Sequence, residues 1–361
     1  MSTFIVIAYL TVALTGTVVL LSVGLVLFHA LSTRRERRTQ ERQRRLRENL
    51  VAYLEGKTDE EGLKAELLHD RDLLVSAVEQ LAEEVGSVER SKLEGLFQLF
   101  GMGRLLEKEL EDLSRGNWPK RMRAATRLAS MGGSREEVVP HLLAALEDDM
   151  LDVRLAAAHS LAKLKALDAV VPILRHLVLP ARWPIQRVTE ILCDMGDAVA
   201  PRLLDYLDDP DAQDAGKAAA IHTLGMRRAT GAVAAVVRHL AHPDVEVRVQ
   251  SAKALGEIGD MRAAPALQQA MHDPAWEVRA IAANALGALG DEAALPILTT
   301  SLADSAWWVR FNAAHALSQL GTRGTEALRS ALAHTDSFVR DISRQVLEEQ
   351  GLMRTEQGRR A

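Results

Sequence analysis

The residues of this chain that could carry out catalysis are eleven histidines, 49 acidic side chains and one cysteine, Cys193. The histidines show no His-Glu-x-x-His or similar metal-binding spacing, and a single cysteine can form neither an intramolecular disulfide nor a Cys/His zinc cluster. The short glycine motif at residues 101–103 stands alone in a helical pattern. We therefore predict no catalytic residue, no metal site and no cofactor. A lone cysteine also favours a reducing compartment.

Arginine, in contrast, recurs with a regular spacing of about 31 residues, and each such position is termed an arginine slot. Two middle copies carry other residues at the slot, and a leucine follows every slot seven residues later, from Leu128 to Leu347. The eight slots are Arg121, Arg154, Ile185, Lys217, Arg248, Arg279, Arg310 and Arg340. Eight registers in phase indicate an internal repeat.

Polar side chains stand five residues after every slot and form a set that is termed the polar column. Its members are Thr126, His159, Glu190, His222, Lys253, Asn284, His315 and Gln345. Positions two, five and nine after a slot share one helical face, and in several repeats that whole face is polar. The column is either an ordinary solvated face or a groove for a partner protein. In the second case, we expect partner contacts from Arg187, Glu190, His222, Lys253, Asn284 and His315.

The tryptophans are also in register and form a set that is termed the aromatic edge. All five stand two or three residues before a slot, and a phenylalanine takes this place in the last copy: Trp118, Trp183, Trp276, Trp307, Trp308 and Phe338. Either each ring packs on the preceding repeat, or the rings bind a partner, since aromatic residues are enriched at interface hot spots. The second alternative predicts partner contacts from Trp276, Trp307, Trp308 and Phe338. Full burial of both Trp307 and Trp308 would exclude it.

These positions require a helix, a turn and a second helix in every repeat. Hydrophobic residues make up 48% of the chain and aromatic residues only 4%, so alanine and leucine, which favour helices, carry most of the apolar content. A single helix pair could not bury its apolar stripe, whereas stacked pairs share one continuous core. The sequence predicts an all-α solenoid of about eight repeats over residues 117–351.

The repeat resembles the HEAT repeat, especially the short HEAT-like variety of phycobilisome lyases. The matching residues are the Asp273-Pro274 turn, the Val278-Arg279 pair, the Ala282-Ala283 doublet and the closing Leu286-Gly287. The resemblance implies a right-handed α-solenoid whose Val-Arg helices, and with them the polar column, line the concave surface. It also implies that an acidic turn residue pairs with the arginine six residues later. The pairs expected on this basis are Asp148/Arg154, Asp273/Arg279 and Asp304/Arg310.

The N-terminal segment predicts a membrane anchor. Residues 4–32 contain no Lys, Arg, Asp or Glu and are long enough to cross a bilayer as a helix. A cleaved signal peptide is the alternative, but no basic segment precedes these residues and no small-residue cleavage site follows them. Eight arginines and three glutamates follow at residues 34–49. The positive-inside rule therefore predicts a single-pass protein of a bacterial inner membrane, with the N-terminus outside and the solenoid in the cytoplasm.

The remaining segments complete the predicted domain organisation. Residues 33–57 are expected to form a charged helical stalk, residues 58–116 a helical N-terminal cap, and residues 352–361 a flexible tail. The chain carries a net charge of -5 and the arginine run +5, so the rest of the chain carries -10. Such an acidic body argues against nucleic acid as a partner, because a nucleic-acid-binding protein needs a basic face.

The layout of anchor, stalk, cap and repeats resembles that of bacterial inner-membrane HEAT-repeat proteins, some of which are encoded beside membrane glycosyltransferases of the exopolysaccharide type. We therefore predict a membrane-tethered cytoplasmic scaffold, not an enzyme, with a membrane glycosyltransferase or exopolysaccharide synthesis machinery as the implied protein partner. One alternative is a bilin lyase-like enzyme, which a membrane anchor fits poorly. The other is a nucleic-acid-binding HEAT protein, which the acidic body disfavours. The oligomeric state and the binding face stay open.

Overall fold

The structure is a computed structural model that describes residues 41, 43–57, 103–131, 135–178 and 185–353. Within these ranges every regular element is a helix, which confirms the predicted all-α fold. The predicted transmembrane helix at residues 4–32, most of the predicted cap, Trp183 and nearly all of the predicted tail lie outside them. Among the helices that the structure describes, none combines the length and the apolar character needed to cross a membrane.

The chain divides into two compact units. The first comprises Met1–Lys108 and Ser130–Gly133, and the second comprises Glu109–Ala129 and Ser134–Ala361. In the first unit, residues 43–54, which belong to the predicted stalk, are helical, and Leu50 is fully buried. The second unit contains all of the arginine slots, so the candidate binding surfaces belong to it.

The second unit is an α-solenoid of repeated helix pairs. After α1 (Gly103–Arg115), the first helices of the repeats, which contain the slots, are α2 (Trp118–Leu128), α4 (Leu151–Lys163), α6 (Ile185–Asp194), α8 (Asp214–Met226), α10 (Val245–Ile258), α12 (Trp276–Leu289), α14 (Trp307–Gln319) and α16 (Ser337–Glu349). The second helices are α3 (Arg135–Ala145), α5 (Val170–Leu177), α7 (Val199–Leu207), α9 (Val233–His239), α11 (Ala264–Ala270), α13 (Leu295–Ser301) and α15 (Gly321–Ala331). First helices of neighbouring repeats pack on one another, so one core runs through the stack.

The leucine that follows each slot by seven residues lies in this core. In all eight repeats it is at most 1% exposed, from Leu128 to Leu347. Burial of each leucine side chain stabilises the fold by about 2 kcal/mol, and the apolar register is unbroken even where the slot holds Ile185 or Lys217. The apolar register therefore maintains the stack, whatever residue occupies the arginine slot.

The turns that follow the first helices share one register position. Eleven residues after the slot the backbone is left-handed in seven repeats, at Lys165, Gly196, Arg228, Gly259, Gly290, Gly321 and Gly351. Glycine adopts this conformation without strain, whereas Lys165 and Arg228 carry a cost of about 1 kcal/mol each. A common end point gives each connecting turn the same starting position, which keeps successive repeats in phase.

Close helix contacts occur where a glycine stands eight residues after the slot. A methyl group on Gly287 would lie 2.7 Å from the Cα atom of Ala316 in the next repeat. Equivalent contacts join Gly225 to Ala254 and Gly256 to Ala285. The first helices α8, α10, α12 and α14 therefore touch nearly backbone to backbone, which fixes the spacing of any surface residues that they carry.

Candidate protein-interaction surfaces

The slot arginines join each repeat to the next. The Arg279 guanidinium donates two hydrogen bonds to the Asp304 carboxylate, at 2.9 and 2.8 Å, and a third to the backbone carbonyl of Asp273 at 2.8 Å. Arg248 binds the Asp273 carboxylate in the same way, at 2.8 and 2.9 Å. A planar guanidinium suits this geometry because it can bind a carboxylate through two parallel hydrogen bonds. We term this series of contacts the arginine–aspartate ladder.

The ladder corrects the pairing expected from the sequence. Arg154, Arg279 and Arg310 do contact the aspartate six residues earlier, but they bind its backbone carbonyl, at 2.7 to 2.8 Å. The carboxylates of Asp148, Asp273 and Asp304 instead accept hydrogen bonds from the arginine of the preceding repeat, namely Arg121, Arg248 and Arg279. The pairing implied by the resemblance was wrong because stacking brings the arginine of the preceding repeat to the carboxylate, while the arginine six residues later reaches only the backbone carbonyl.

Each ladder aspartate also shapes its own turn. The Asp304 carboxylate accepts a hydrogen bond from the Ala306 backbone N–H at 2.8 Å, and Asp273 does the same for Ala275. Burial alone would raise the pKa of Asp304, but the hydrogen bonds from Arg279 and Ala306 outweigh it and lower the pKa. The carboxylate is therefore ionised at neutral pH, and its role is structural.

The ladder is interrupted in the middle of the stack and at its end. Ile185 and Lys217 cannot form the two parallel hydrogen bonds, and His242 and His334 stand where the ladder aspartates would be. Both histidines keep the turn contact, since Nδ1 of His242 accepts from Asp244 N–H at 3.2 Å and Nδ1 of His334 from Asp336 N–H at 3.1 Å. This interruption therefore affects the ladder, while the turn contacts at residues 242 and 334 are maintained.

The polar column is accessible in seven of its eight repeats. Thr126, His159, Glu190, Asn284 and Gln345 are exposed, and Lys253 and His315 are half-buried. Lys253 lies 3.7 Å from the Glu257 carboxylate one helical turn later, and Arg187 is exposed on α6. Whether these residues bind a partner stays a prediction, as does their position on a concave surface.

His222 is the exception in the polar column. Its side chain is only 4% exposed, so the prediction that it contacts a partner at the surface is wrong. Burial, with a smaller contribution from the Lys253 charge, lowers the pKa of His222 to about 4, and its Nδ1 atom has no hydrogen-bond partner. The sequence could not show this burial, because it depends on the packing of α8 against its neighbouring helices, including the close contact of Gly225 with Ala254.

The aromatic edge is exposed at each of its residues that the structure describes. Trp307 is 46% exposed, Trp308 53% and Phe338 62%, while Trp276 and Trp118 have similar accessibility. The condition that would have excluded a partner-binding edge, full burial of both Trp307 and Trp308, is not met.

A row of rings along α14 connects the aromatic edge to the polar column. The Trp307 ring stacks on Phe311 with centroids 5.0 Å apart, and Phe311 lies 4.3 Å from His315. Trp308 meets Trp307 edge-on at 4.7 Å. Sequence analysis missed Phe311, although the spacing of residues 307, 311 and 315 places them on one helical face. The two predicted surfaces are therefore continuous in this repeat.

The last two repeats are joined by an aromatic contact in place of a ladder pair. Because His334 replaces the aspartate, the Arg310 guanidinium lies over the Phe338 ring, 5.1 Å from its centroid. An arginine over an aromatic face gains a cation–π attraction of about 0.5–1 kcal/mol at an exposed site. This contact keeps Phe338 beside the N-terminal end of α14, so the aromatic edge extends onto α16.

The chain belongs to the HEAT-repeat family. The family model described as HEAT repeats matches residues 106–193, 200–276 and 265–348. HEAT repeats commonly mediate protein–protein interaction. The family match therefore assigns the solenoid to a class in which stacked helices present extended binding surfaces.

Several solved structures are similar to the chain in fold. The phycocyanin lyase complex of CpcE and CpcF from Nostoc sp. is 22% identical, covers 68% of this chain and 94% of its own, and has a TM-score of 0.31. An engineered protein is 19% identical, with coverages of 84% and 98% and a TM-score of 0.39. Human deoxyhypusine hydroxylase in complex with glycerol is 20% identical, with coverages of 69% and 97% and a TM-score of 0.30. No match was found among curated proteins.

Proposed function

We propose that this chain is a scaffold that holds a partner protein at the cytoplasmic face of a bacterial inner membrane. The observation that carries the proposal is the exposed cluster of Trp307 and Trp308, in a chain with only 4% aromatic residues. Clustered exposed aromatic side chains are uncommon on a folded surface that binds nothing, and they dominate the energetics of protein interfaces. HEAT-family membership supports the same function.

The membrane tether is part of the proposal. The charge-free residues 4–32 and the arginines that follow them support a single-pass anchor with the solenoid in the cytoplasm. Tethering would raise the concentration of a membrane-embedded partner near the binding surface without any chemistry in this chain. The resemblance in layout to bacterial inner-membrane HEAT-repeat proteins supports a polysaccharide synthase, or a regulator of one, as that partner.

The binding proposal is tested by co-purification of the full chain, extracted in mild detergent from its native host. Proteins that co-purify with the wild type are quantified by mass spectrometry and compared with those of the double variant Trp307→Ala/Trp308→Ala. Trp118→Ala is the matched control, because Trp118 stands at the same register position as Trp307 and is 44% exposed. We expect the double variant alone to lose a defined membrane protein by at least about tenfold. Equal recovery with all three chains would contradict the proposal.

The tether is tested separately by fractionation. The full chain should stay with the membrane after alkaline carbonate extraction, and removal of residues 4–32 should release it. A protease added to intact spheroplasts should leave the solenoid uncut. Release of the full chain by carbonate, or digestion of the solenoid from outside, would disprove the proposed topology.

A further inference from the structure

The C-terminal part of the aromatic edge lies on three helices that pack on one another in sequence. Trp276 and Trp307 are the first residues of α12 and α14, and the Asn312 side-chain amide donates to the Ala280 carbonyl at 2.8 Å, which holds the two N-terminal turns side by side. The Arg310–Phe338 contact connects α14 to α16. Exposed rings therefore extend from α12 to α16, and the row from Trp307 to His315 leads from this edge along α14.

The arginines near this surface direct their donors inward. Arg279 binds Asp304 as part of the ladder. Arg310 donates to the carbonyls of Asp304 and Ser305 and lies over Phe338. Arg340 donates to the carbonyls of His334 and Thr335, at 2.7 and 2.8 Å. The slot arginines of α12, α14 and α16 thus stabilise turns and rings, and their positive charges are largely engaged within the solenoid.

Carboxylates, in contrast, lie on the accessible side. Glu349 lies 3.5 Å from Nε2 of His315, where the row of rings ends. A shallow groove begins there on α16 and is lined by Asp341, Arg344, Gln345, Glu348 and Glu349. Arg344 pairs with Asp341 at 3.4 Å, and Glu349 accepts a hydrogen bond from the Gln345 amide at 2.8 Å, so the groove contains three carboxylates and one guanidinium. The groove therefore has a negative charge that adjoins an exposed aromatic surface.

We propose that the aromatic edge of α14 and α16 and this acidic groove together bind a basic amphipathic segment of the partner protein. Apolar side chains of the segment would cover Trp307 and Trp308, and its lysines or arginines would face Glu348 and Glu349. A cation is also attracted to an exposed indole face. α14 has 13 residues, so a segment of about three to four helical turns matches its length. This inference rests on the proposed function and adds the chemistry of the partner.

The first repeat provides a control within the same chain. Trp118 has the same register position as Trp307 and nearly the same exposure, but its neighbours on α2 are Lys120 and the exposed Arg123. A basic segment would be repelled there, because like charges at short range oppose association. Exposure of the indole is therefore nearly the same at the two sites, but Trp118 has these two basic neighbours, of which Lys120 pairs with Asp112 at 3.6 Å, whereas the site on α14 adjoins the acidic groove of α16.

The test uses the full chain in zwitterionic nanodiscs, with empty nanodiscs as the blank. The probes are two fluorescent amphipathic peptides of about 18 residues that differ only in carrying lysine or glutamate on the polar face. Fluorescence anisotropy gives the dissociation constant of each. We expect the lysine peptide to bind at least about tenfold more tightly than the glutamate peptide, and to bind less tightly as salt rises.

Variants locate the binding site. We expect the dissociation constant of the lysine peptide to rise by about tenfold or more in two double variants, Trp307→Ala/Trp308→Ala and Glu348→Lys/Glu349→Lys. In Trp118→Ala it should equal the wild-type value. Equal affinity for the two peptides, or the same loss in Trp118→Ala, would overturn the inference. Quenching of the Trp307 and Trp308 fluorescence by brominated lipids in the nanodisc would also overturn it, since the edge would then bind the bilayer.

The outcomes separate this inference from the proposed function. If co-purification depends on Trp307 and Trp308 but the peptides bind equally, a partner binds the edge by other chemistry and only the inference fails. If co-purification does not depend on these tryptophans, the proposed function fails, whichever of the two peptides binds more tightly. Circular dichroism of each variant, compared with the wild type, shows that the fold is kept.

Discussion

The repeats of α10 to α15 and the repeats of α6 to α9 share one architecture but are joined by different contacts. In the first region, termed the regular region, Arg248 and Arg279 each bind an aspartate of the next repeat through two hydrogen bonds. Gly256 and Gly287 bring the first helices into close contact. Each junction of this region therefore repeats a polar contact at one end of the helix and an apolar contact near the other.

In the second region, termed the interrupted region, the contacts between repeats differ from one junction to the next. The hydroxyls of Thr189 and Thr223 lie 3.4 Å apart between α6 and α8, and Arg227 donates to the Cys193 carbonyl at 2.9 Å and pairs with Asp197. His222 is buried without a partner for Nδ1. Since the buried leucines keep their register in both regions, the apolar pattern determines the stack and the ladder adds to it. The regular region also carries the row of rings from Trp307 to His315, so a repeated set of contacts supports the proposed binding surface.

Loss of a ladder aspartate should cause the largest change. Asp304→Ala leaves the Arg279 side chain, of which only 15% is exposed, without its carboxylate partner and removes the turn contact to Ala306. We expect a loss of about 3 kcal/mol in the free energy of unfolding, measured by urea denaturation. Asp211→Ala is the control, since Asp211 has the same register position but follows a slot occupied by Ile185. Equal losses in the two variants would show that the ladder does not distinguish the regions.

Acid should weaken the interrupted region through His222. Because burial lowers its pKa to about 4 from about 6.5 in the unfolded chain, the unfolded state binds more protons between these values. The stabilising neutral form is therefore fully favoured above pH 6.5, and stability falls as the pH drops below that value. The His222 contribution should decrease by about 2 kcal/mol at pH 5. His222→Gln should lose this part of the pH dependence in urea denaturation at pH 7 and pH 5, and an unchanged pH dependence would contradict the burial.

A smaller loss should follow when close packing in the regular region is disturbed. Gly287→Ala places a methyl group 2.7 Å from the Cα atom of Ala316, so one of the two helices must move. We expect a loss of about 1–2 kcal/mol in thermal or urea denaturation, after the gain in helix propensity is included. Gly231→Ala is the control, because no atom lies within 4 Å of its added methyl group. If Gly287→Ala were as stable as the control, the close contact would contribute nothing.

The ladder should also be extendable to the last repeat, with the smallest effect. His334→Asp places a carboxylate where Arg310 can bind it, and an aspartate can keep the turn contact to Asp336 N–H that His334 makes. We expect a gain of about 0.5–1 kcal/mol in the free energy of unfolding. His334→Asn keeps the turn contact but adds no charge, so it should show no such gain. A similar gain in both variants would assign the effect to the turn instead of the ladder.

Much of this architecture could be predicted from the sequence, because the repeat makes eight independent copies of each signal. The buried leucines and the helix pairs follow from register alone, whereas the register of Trp307 and Trp308 left packing on the preceding repeat and an exposed edge as alternatives. The ladder partners could not be predicted. The spacing within one repeat does not show whether the Asp304 carboxylate binds the arginine six residues later or the arginine of the preceding repeat. The burial of His222 and the role of Phe311 likewise depend on contacts between helices, which a single register position does not encode.

The most direct test of the account is site-specific photo-crosslinking in living cells. A photoreactive phenylalanine replaces Phe338 on the aromatic edge of α16 or, as the control, Trp118 on α2. We expect a discrete crosslinked product with one membrane protein from position 338, which is lost in the Trp307→Ala/Trp308→Ala background, and no product from position 118. Equal products from both positions, or a product from position 338 that survives loss of the two indoles, would contradict the claim that the aromatic edge binds the partner.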